Sequence, residues 1–410
     1  MNVLIVNINA VYGTSDKPLP FKRGAAMSVL ESVSKAFIRI ENGIIAEVGS
    51  MKDLDTHADV TINAENGMVL PSWCDSHTHI VYAGTREQEF IFRIKGMSYE
   101  EIAARGGGIL NSAERMQNVD EDQLYEQSLL RLNEVMRMGT GAIEIKSGYG
   151  LSYESELKML RVIRRLKEQS LIPIKATFLG AHAIPKIYQS DRQGYMTLLT
   201  EKMLPKIVDE GLADYIDVFC DKGYFTVDET DTILEYGSKY GLKAKIHANE
   251  LANSGGVQIG VKHNALSVDH LEMIEEKEVQ ALLASETIPT VLPSCSFYLN
   301  IKYAPARMMI DNGLGIAMAT DYNPGSTPSG NIPFLINLAC NKMKLMPEEA
   351  INAITINGAY AMEMNQELGS IEVGKVANLI ITKPMGSLAF IPYAFGSNHI
   401  HKVIVRGKEI

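Results

Sequence analysis

The middle of the chain repeats one pattern eight times: a short apolar run closes on a polar residue, and most are followed by a helix-patterned segment. The runs close at GMVLPSWCDSHTH (His79), GAIEIKSG (Lys146), IPIKATFLGAH (His182), DYIDVFCD (Asp221), LKAKIHANE (Glu250), ALSVDHLE (Glu272), TIPTVLPS (Ser294) and LGIAMATD (Asp321). Segments such as ESELKMLRVIRRLKEQS and VDETDTILEYGSKYG separate them. Continuous apolar strands alternating with helices are the mark of parallel sheets covered on both faces. Eight such units over residues 67–365 predict an α/β fold, a (β/α)8 TIM barrel. A doubly wound sheet competes less well, because no Gly-rich dinucleotide fingerprint follows an early strand.

The ends of the chain have another texture. Ala36 to Gly49 (AFIRIENGIIAEVG) alternates apolar and polar residues about Asn42-Gly43, a two-residue hairpin signal. GSIEVGKVANLIITK and HKVIVRGKEI near the C-terminus read as strands too. Neither end carries enough strand for its own core, so residues 1–66 and 366–410 are expected to pair as one small β-domain.

Composition narrows the function classes. At 46% hydrophobic and 21% charged, the 410 residues suit a large folded core rather than a disordered chain. A net charge of −10 without a basic run argues against a nucleic-acid surface. No apolar stretch is long enough to span a membrane, and MNVLIVNINAVYG lacks a signal peptide's basic start, so a cytoplasmic enzyme is expected. The scattered Cys74, Cys220, Cys295 and Cys340 form neither a disulfide framework nor a thiolate zinc knuckle.

Barrel active sites assemble where the strands end, so residues closing the runs are the candidates. His77 and His79 share one face of an extended segment, half of a tetrahedral nitrogen set. An isolated HxH is more often surface decoration; its place at the close of the first run reverses that reading. His247 and His270, each alone a commonplace core histidine, close two further runs. Asp321 ends a run that would bury it, and a buried carboxylate needs a cation or several donors. A metal on His77, His79 and His247 would supply the charge, with Asp321 as a further ligand and proton shuttle. Lys146 reads equally as a buried partner of Glu144 or as a substrate-side group. Arg105-Gly106-Gly107-Gly108 resembles a phosphate cradle but lacks the GK[ST] ending, and fits a lid loop better.

VLPSWCDSHTH, HANE, SVDHLE and ATDYNPGS resemble the metal-site motifs of the amidohydrolase superfamily. YAGTREQEF, EEIAARGGGIL, EIKSGYGL, LGAHA, DVFCDKG and TDYNPGS extend the resemblance over nearly the whole chain. It implies a barrel flanked by a β-sandwich built from both termini, and one divalent metal, zinc or iron, on His77, His79, His247 and Asp321. Many relatives bridge two metals with a carbamoylated lysine on the fourth strand; DYIDVFCD has none, which favours one metal. The implied reaction opens the ring of 4-imidazolone-5-propanoate to N-formimino-L-glutamate, with hydroxide generated at the metal attacking the ring carbonyl. Arg86 would grip the propionate, Tyr149 and His182 would line the ring, and Asn323, Gly325 and Ser326 would hold the polar end of substrate or product. Glu250 is expected beside the ring nitrogens or the water, and His270 on the water, with a role as fifth ligand left open. A homodimer is implied as well. His57, His263, His399 and His401 are read as structural or surface residues. Trp73-Cys74 and Cys295-Ser296 depart from the pattern. Three other readings compete: a heterocycle deaminase, a Schiff-base lyase using Lys146, and a non-catalytic binding protein.

Overall fold

The computed structural model describes residues 1–15, 19–54, 57–97, 101–102 and 107–410. Eight parallel strands follow one another in sequence order: Trp73–Asp75, Thr140–Lys146, Ile174–Ala181, Tyr215–Cys220, Lys243–Ala248, Ser267–His270, Ile288–Val291 and Ala317–Met318. They are called barrel strands one to eight below. The gap between strands eight and one closes just beyond their ends. There Asp321 N donates to His77 O (3.0 Å), and His79 N to Tyr322 O (2.9 Å). The Asp75 carboxylate reinforces this seam by accepting from Thr320 N (3.0 Å) and Thr320 Oγ1 (2.7 Å). Strand two is buried along its whole length, as a strand enclosed by helices must be. The helices carry the expected apolar stripe: in Tyr153–Gln169, Leu157, Leu160, Ile163 and Leu166 recur every three residues and are buried.

Strands from both termini form a separate eight-stranded sheet. It comprises Asn2–Tyr12, Ser32–Glu41, Ile44–Ser50, Val60–Asn63, Met68–Pro71, Leu379–Thr382, Ile400–Val405 and Lys408–Glu409. The hairpin at Asn42-Gly43 forms with φ of +51° and +85°, the two positive angles a type I′ turn requires. Asn2–Tyr12 pairs with Val60–Asn63 along its first half and with Met68–Val69 along its second, and its register with Ser32–Glu41 slips between Ile5 and Ile8. Such a bulge bends the strand, so one sheet wraps around its own core.

One difference from expectation concerns the first apolar run. Read as a single barrel strand from residue 67, it is two strands: Met68–Pro71 pairs with the terminal sheet, and only Trp73–Asp75 enters the barrel. Both pieces are buried, so hydrophobicity does not separate them. Alternation shows why Met68–Pro71 is apolar throughout. Val69 faces the sheet's own core, whereas Met68 and Leu70 join the barrel's core. Leu379 and Ile381 against Ile380, and Ile404 against Val403 and Val405, divide in the same way. The sheet docks at the beginnings of strands one and two. Ser72 N donates to Asn378 O (3.0 Å), and Asn378 Nδ2 to Gly141 O (2.9 Å). The opposite, C-terminal ends of the strands remain for a site.

Candidate active site

At those ends three histidines converge. His77 and His79 follow strand one, and His247 lies in strand five; all are buried. His77 Nδ1 is 2.6 Å from Asp269 Oδ2, and His247 Nδ1 is 3.0 Å from Asp217 Oδ2. In each case Nδ1–H donates a hydrogen bond to the carboxylate, which leaves Nε2 with its lone pair free to bind. Among the described residues His247 Nε2 is buried without a hydrogen-bond partner, and His77 Nε2 stands 3.2 Å from His79 Nε2. Asp321 Oδ1 lies 3.5 Å from His79 Nε2 and 3.7 Å from His77 Nε2. Burial first, then the nearby Lys146 and histidines, hold the His77 imidazole well below its ordinary pKa, so it stays neutral. Neutral nitrogens converging away from water suit a metal ion, and the three ring donors lie within 4.8 Å of one another. Asp321, His270 and Asn249 turn the chain here in left-handed backbone, with φ of +52°, +82° and +55°, a region in which Asn, Asp and His are enriched.

Behind the histidines runs a fully buried charge network. Lys146 Nζ lies 2.6 Å from Glu144 Oε1 and 2.8 Å from Asp217 Oδ2; Lys245 Nζ pairs with Glu144 Oε2 and donates to Ser76 O (2.9 Å). Burial alone would lower the Lys146 pKa, but Asp217, Glu144 and Asp269 outweigh it and hold it above the ordinary value. Lys146 is therefore a structural cation behind the histidines and not among the residues lining the cavity. A Schiff-base lysine needs a neutral, accessible amine, so that reading fails.

Glu250 and His270 stand on the far side of His247. The Asp221 carboxylate builds the loop after strand five by accepting from the backbone N–H of Glu250 (2.8 Å), Leu251 (2.9 Å) and Ala252 (3.1 Å). Glu250 Oε2 then sits 3.7 Å from His270 Nδ1, and Glu272 Oε2 sits 3.8 Å from the same atom. Burial, with Glu272 and Asp321 nearby, pushes the Glu250 carboxyl well above its usual range; burial likewise pushes Glu272 up to about 8. Ser296 Oγ donates to Glu272 Oε1 (2.8 Å), and the Cys295 thiol touches the Asp321 carboxylate, which gives the unusual Cys295-Ser296 pair a place at the site.

These groups open on a cavity of about 510 Å³. One wall is Tyr149 and His182, from the loops after strands two and three. His182 Nδ1 donates to Gly148 O (2.9 Å), its ring stacks on His79 with centroids 5.5 Å apart, and burial lowers its pKa to about 3. The other wall is Arg86 with the loop after strand eight. Arg86 forks onto Glu89, Nε to Oε1 at 2.9 Å and Nη2 to Oε2 at 2.7 Å, inside the protein rather than in a surface salt bridge. Its Nη1 packs so closely on Gly325 that a Cβ there would come within 2.2 Å. The Asn323 side chain is spent on the loop itself. Its Oδ1 accepts from Gly325 N and Ser326 N (both 2.8 Å), and its Nδ2 donates to Asp321 O and Ser326 Oγ (both 2.7 Å). Asn323 and Ser326 still line the cavity, so the turn and the binding wall are one structure. Of the glycine-rich segment proposed as a lid, Arg105 and Gly106 lie outside the described residues; Gly108 N donates to Glu89 Oε1 (2.9 Å). His263, His399 and His401 bond or pair elsewhere and line no part of the cavity.

Comparison with known proteins gives this geometry a lineage. Residues 68–410 match the model of the amidohydrolase family. The imidazolonepropionase of Flavobacterium johnsoniae is 56% identical, with all of both chains covered. That of Clostridium tetani is 40% identical over all of this chain and 98% of its own. The chain belongs to the imidazolonepropionase family of amidohydrolases. Among solved structures, a triazine hydrolase from Arthrobacter aurescens superposes with a TM-score of 0.74 at 15% identity, covering 100% of this chain and 94% of that one. A Xanthomonas campestris adenosine deaminase with bound zinc gives 0.69 at 16%, covering 99% and 92%. At such low identity these two share the fold alone.

Seen as an amidohydrolase, the chain brings His77, His79, His247, Asp321, Glu250, His270, Arg86, Tyr149, His182, Asn323, Gly325 and Ser326 to one place. Sequence reasoning missed the groups that hold them there: Asp217 and Asp269 on the histidines, Asp221 under Glu250, and Glu156 under Tyr149. Glu156 accepts from the backbone N–H of Gly148 (3.1 Å), Gly150 (2.7 Å) and Leu151 (2.9 Å). It also missed Arg93, which lines the cavity, donates to Gly325 O (2.9 Å) and lies 4.7 Å over the Tyr298 ring. A usable signal existed for Asp217 and Asp269, since each is a charged residue inside an apolar strand.

Proposed function

We propose that this chain hydrolyses 4-imidazolone-5-propanoate to N-formimino-L-glutamate in L-histidine degradation. The observation that carries the reading is full-length identity of 38–56% to imidazolonepropionases, borne by a chain whose candidate site residues meet in one cavity. His77, His79, His247 and Asp321 would hold a divalent ion, zinc or iron, which would supply a Lewis acid and lower the pKa of water from 15.7 toward roughly 7. Asp269 and Asp217 keep His77 and His247 in the tautomer that offers Nε2. His270 holds the attacking water, and Asp321 receives its proton. Burial raises the Asp321 pKa to about 6 against the opposing pull of His247. Water adds to the ring carbonyl carbon, the ring C–N bond breaks, and the leaving nitrogen takes the proton from Asp321. Glu250, whose carboxyl is raised above its usual range by burial and then by Glu272 and Asp321, stands beside the ring nitrogens. Tyr149 and His182 hold the ring, Arg86 holds the propionate, and the loop of Asn323, Gly325 and Ser326 encloses the polar end of the product. The protein works in the cytoplasm as a homodimer, bound to neither nucleic acid nor membrane; no helix among the described residues is long and apolar enough to cross a bilayer.

The test combines metal analysis with loss of imidazolone absorbance and identification of the product. Wild-type protein should contain the metal and release N-formimino-L-glutamate, and His247→Ala should lose both metal and turnover. Full metal occupancy with a normal rate in His247→Ala would overturn the ligand set. Ammonia release from a neutral heterocycle, without ring opening, would favour a deaminase.

A further inference from the structure

Beyond His247, a second cluster of donor atoms lies at and just behind the cavity wall. Glu250, His270 and Cys295 each offer a ligand atom, and these atoms lie within 4.8 Å of one another. His270 and Cys295 are buried, and among the described residues His270 Nδ1 has no hydrogen-bond partner. Glu272 Oε2, 3.8 Å from that nitrogen, is also buried and, among the described residues, accepts no hydrogen bond. Two orphaned polar atoms facing each other inside a protein are costly, and a cation between them would satisfy both. The mixed nitrogen, oxygen and sulfur set favours a borderline or soft dication over magnesium or calcium. Glu250 and His270 line the cavity, so an ion has a route in.

We propose that Glu250, His270 and Cys295, backed by Glu272, form a second cation site for a thiophilic divalent ion such as zinc, cadmium or cobalt, and that filling it stops turnover. This is not the arrangement in which a lysine of the fourth strand bridges two metals. Barrel strand four has no lysine, and Lys146 is locked to Glu144 and Asp217. On binding, the Cys295 thiol gives its proton to solvent and the sulfur donates an electron pair to the ion, so no oxidant or reductant is involved. Inhibition rests on the roles proposed for Glu250 and His270, because an ion on both withdraws the groups that serve the water and the ring nitrogens. Binding itself does not depend on those roles.

The holoprotein, carrying one equivalent of its resident metal, is titrated with cobalt(II) alone. A second equivalent should bind with a thiolate-to-cobalt charge-transfer band. Cys295→Ser, checked for an unchanged unfolding temperature, should lose the band and the second equivalent, whereas Cys74→Ser and Cys220→Ser should keep both. Zinc in excess should stop wild-type turnover, whereas Cys295→Ser, compared with its own zinc-free rate, should be inhibited far less. His247→Ala should retain the band, which separates this site from any failure of the first. No band in the wild type, a band surviving Cys295→Ser, or a band lost with His247→Ala would overturn the second site. Equal zinc inhibition of wild type and Cys295→Ser would overturn the inhibitory role.

Discussion

Arg86 shows how a single residue's surroundings set what it can do. Two of its donor positions, Nε and one on Nη2, are committed to Glu89, and Nη1 lies flat against Gly325. A propionate would therefore meet a guanidinium whose plane is already fixed, which gives orientation as well as charge. Arg86→Ala should weaken substrate binding by the worth of hydrogen bonds to a charged group, roughly 1.5–3 kcal/mol or about 10- to 150-fold in KM. Arg86→Lys should recover part of this, since an ammonium cannot satisfy the Glu89 fork and the propionate together. A substrate analogue without the carboxylate should bind both variants and the wild type alike. Equal losses for both ligands would make Arg86 a purely structural partner of Glu89.

At the level of elements, what the sequence makes legible is where the strands end. Each apolar run closes on a polar residue, so Lys146, His182, His247, His270 and Asp321 stand out; the structure sets the last four around one cavity and Lys146 behind it, paired with Glu144 and Asp217. The division of the first run at Ser72 is not legible, because sheet and barrel bury Met68–Pro71 and Trp73–Asp75 alike. Nor is the left-handed backbone at His270 and Asp321, since Asp and His, though enriched there, adopt negative φ at most positions. Asp217 and Asp269 were visible as charges in apolar strands, yet only the fold shows that they accept hydrogen bonds from Nδ1 of His247 and His77. The loop after strand two offers an element-scale test. Gly148 has φ of +108°, and a Cβ would stand 2.9 Å from His182 Nδ1 and 3.0 Å from Leu179 O. Gly148→Ala should displace Tyr149 and His182 together, costing about 1–3 kcal/mol of strain. Substrate KM should rise while metal content stays at the wild-type value, because none of the proposed ligands is on that loop. Metal loss in Gly148→Ala would show that the wall and the histidine cluster are not independent.

For the whole molecule, the division of labour runs along the barrel axis. The terminal sheet covers the starts of strands one and two, and the proposed site residues lie at the opposite ends of strands one, two, three, five, six and eight, so stability and catalysis should be separable. Ile380 is the residue to change. It is fully buried, it points from the terminal sheet into the barrel's core, and its Cδ1 stands where a Cβ on Gly139 would come within 2.6 Å. Ile380→Ala removes three carbons from a packed interface, a change that costs about 2–5 kcal/mol depending on how far the surroundings relax. The unfolding transition should move to lower temperature and denaturant concentration. In a chain with two cores it should also broaden or split if the sheet releases before the barrel. Below that transition, kcat, KM and bound metal should match the wild type, because nothing at the strand ends has moved. A fall in kcat/KM with an unchanged unfolding temperature would refute the separation and place the terminal sheet within reach of the site.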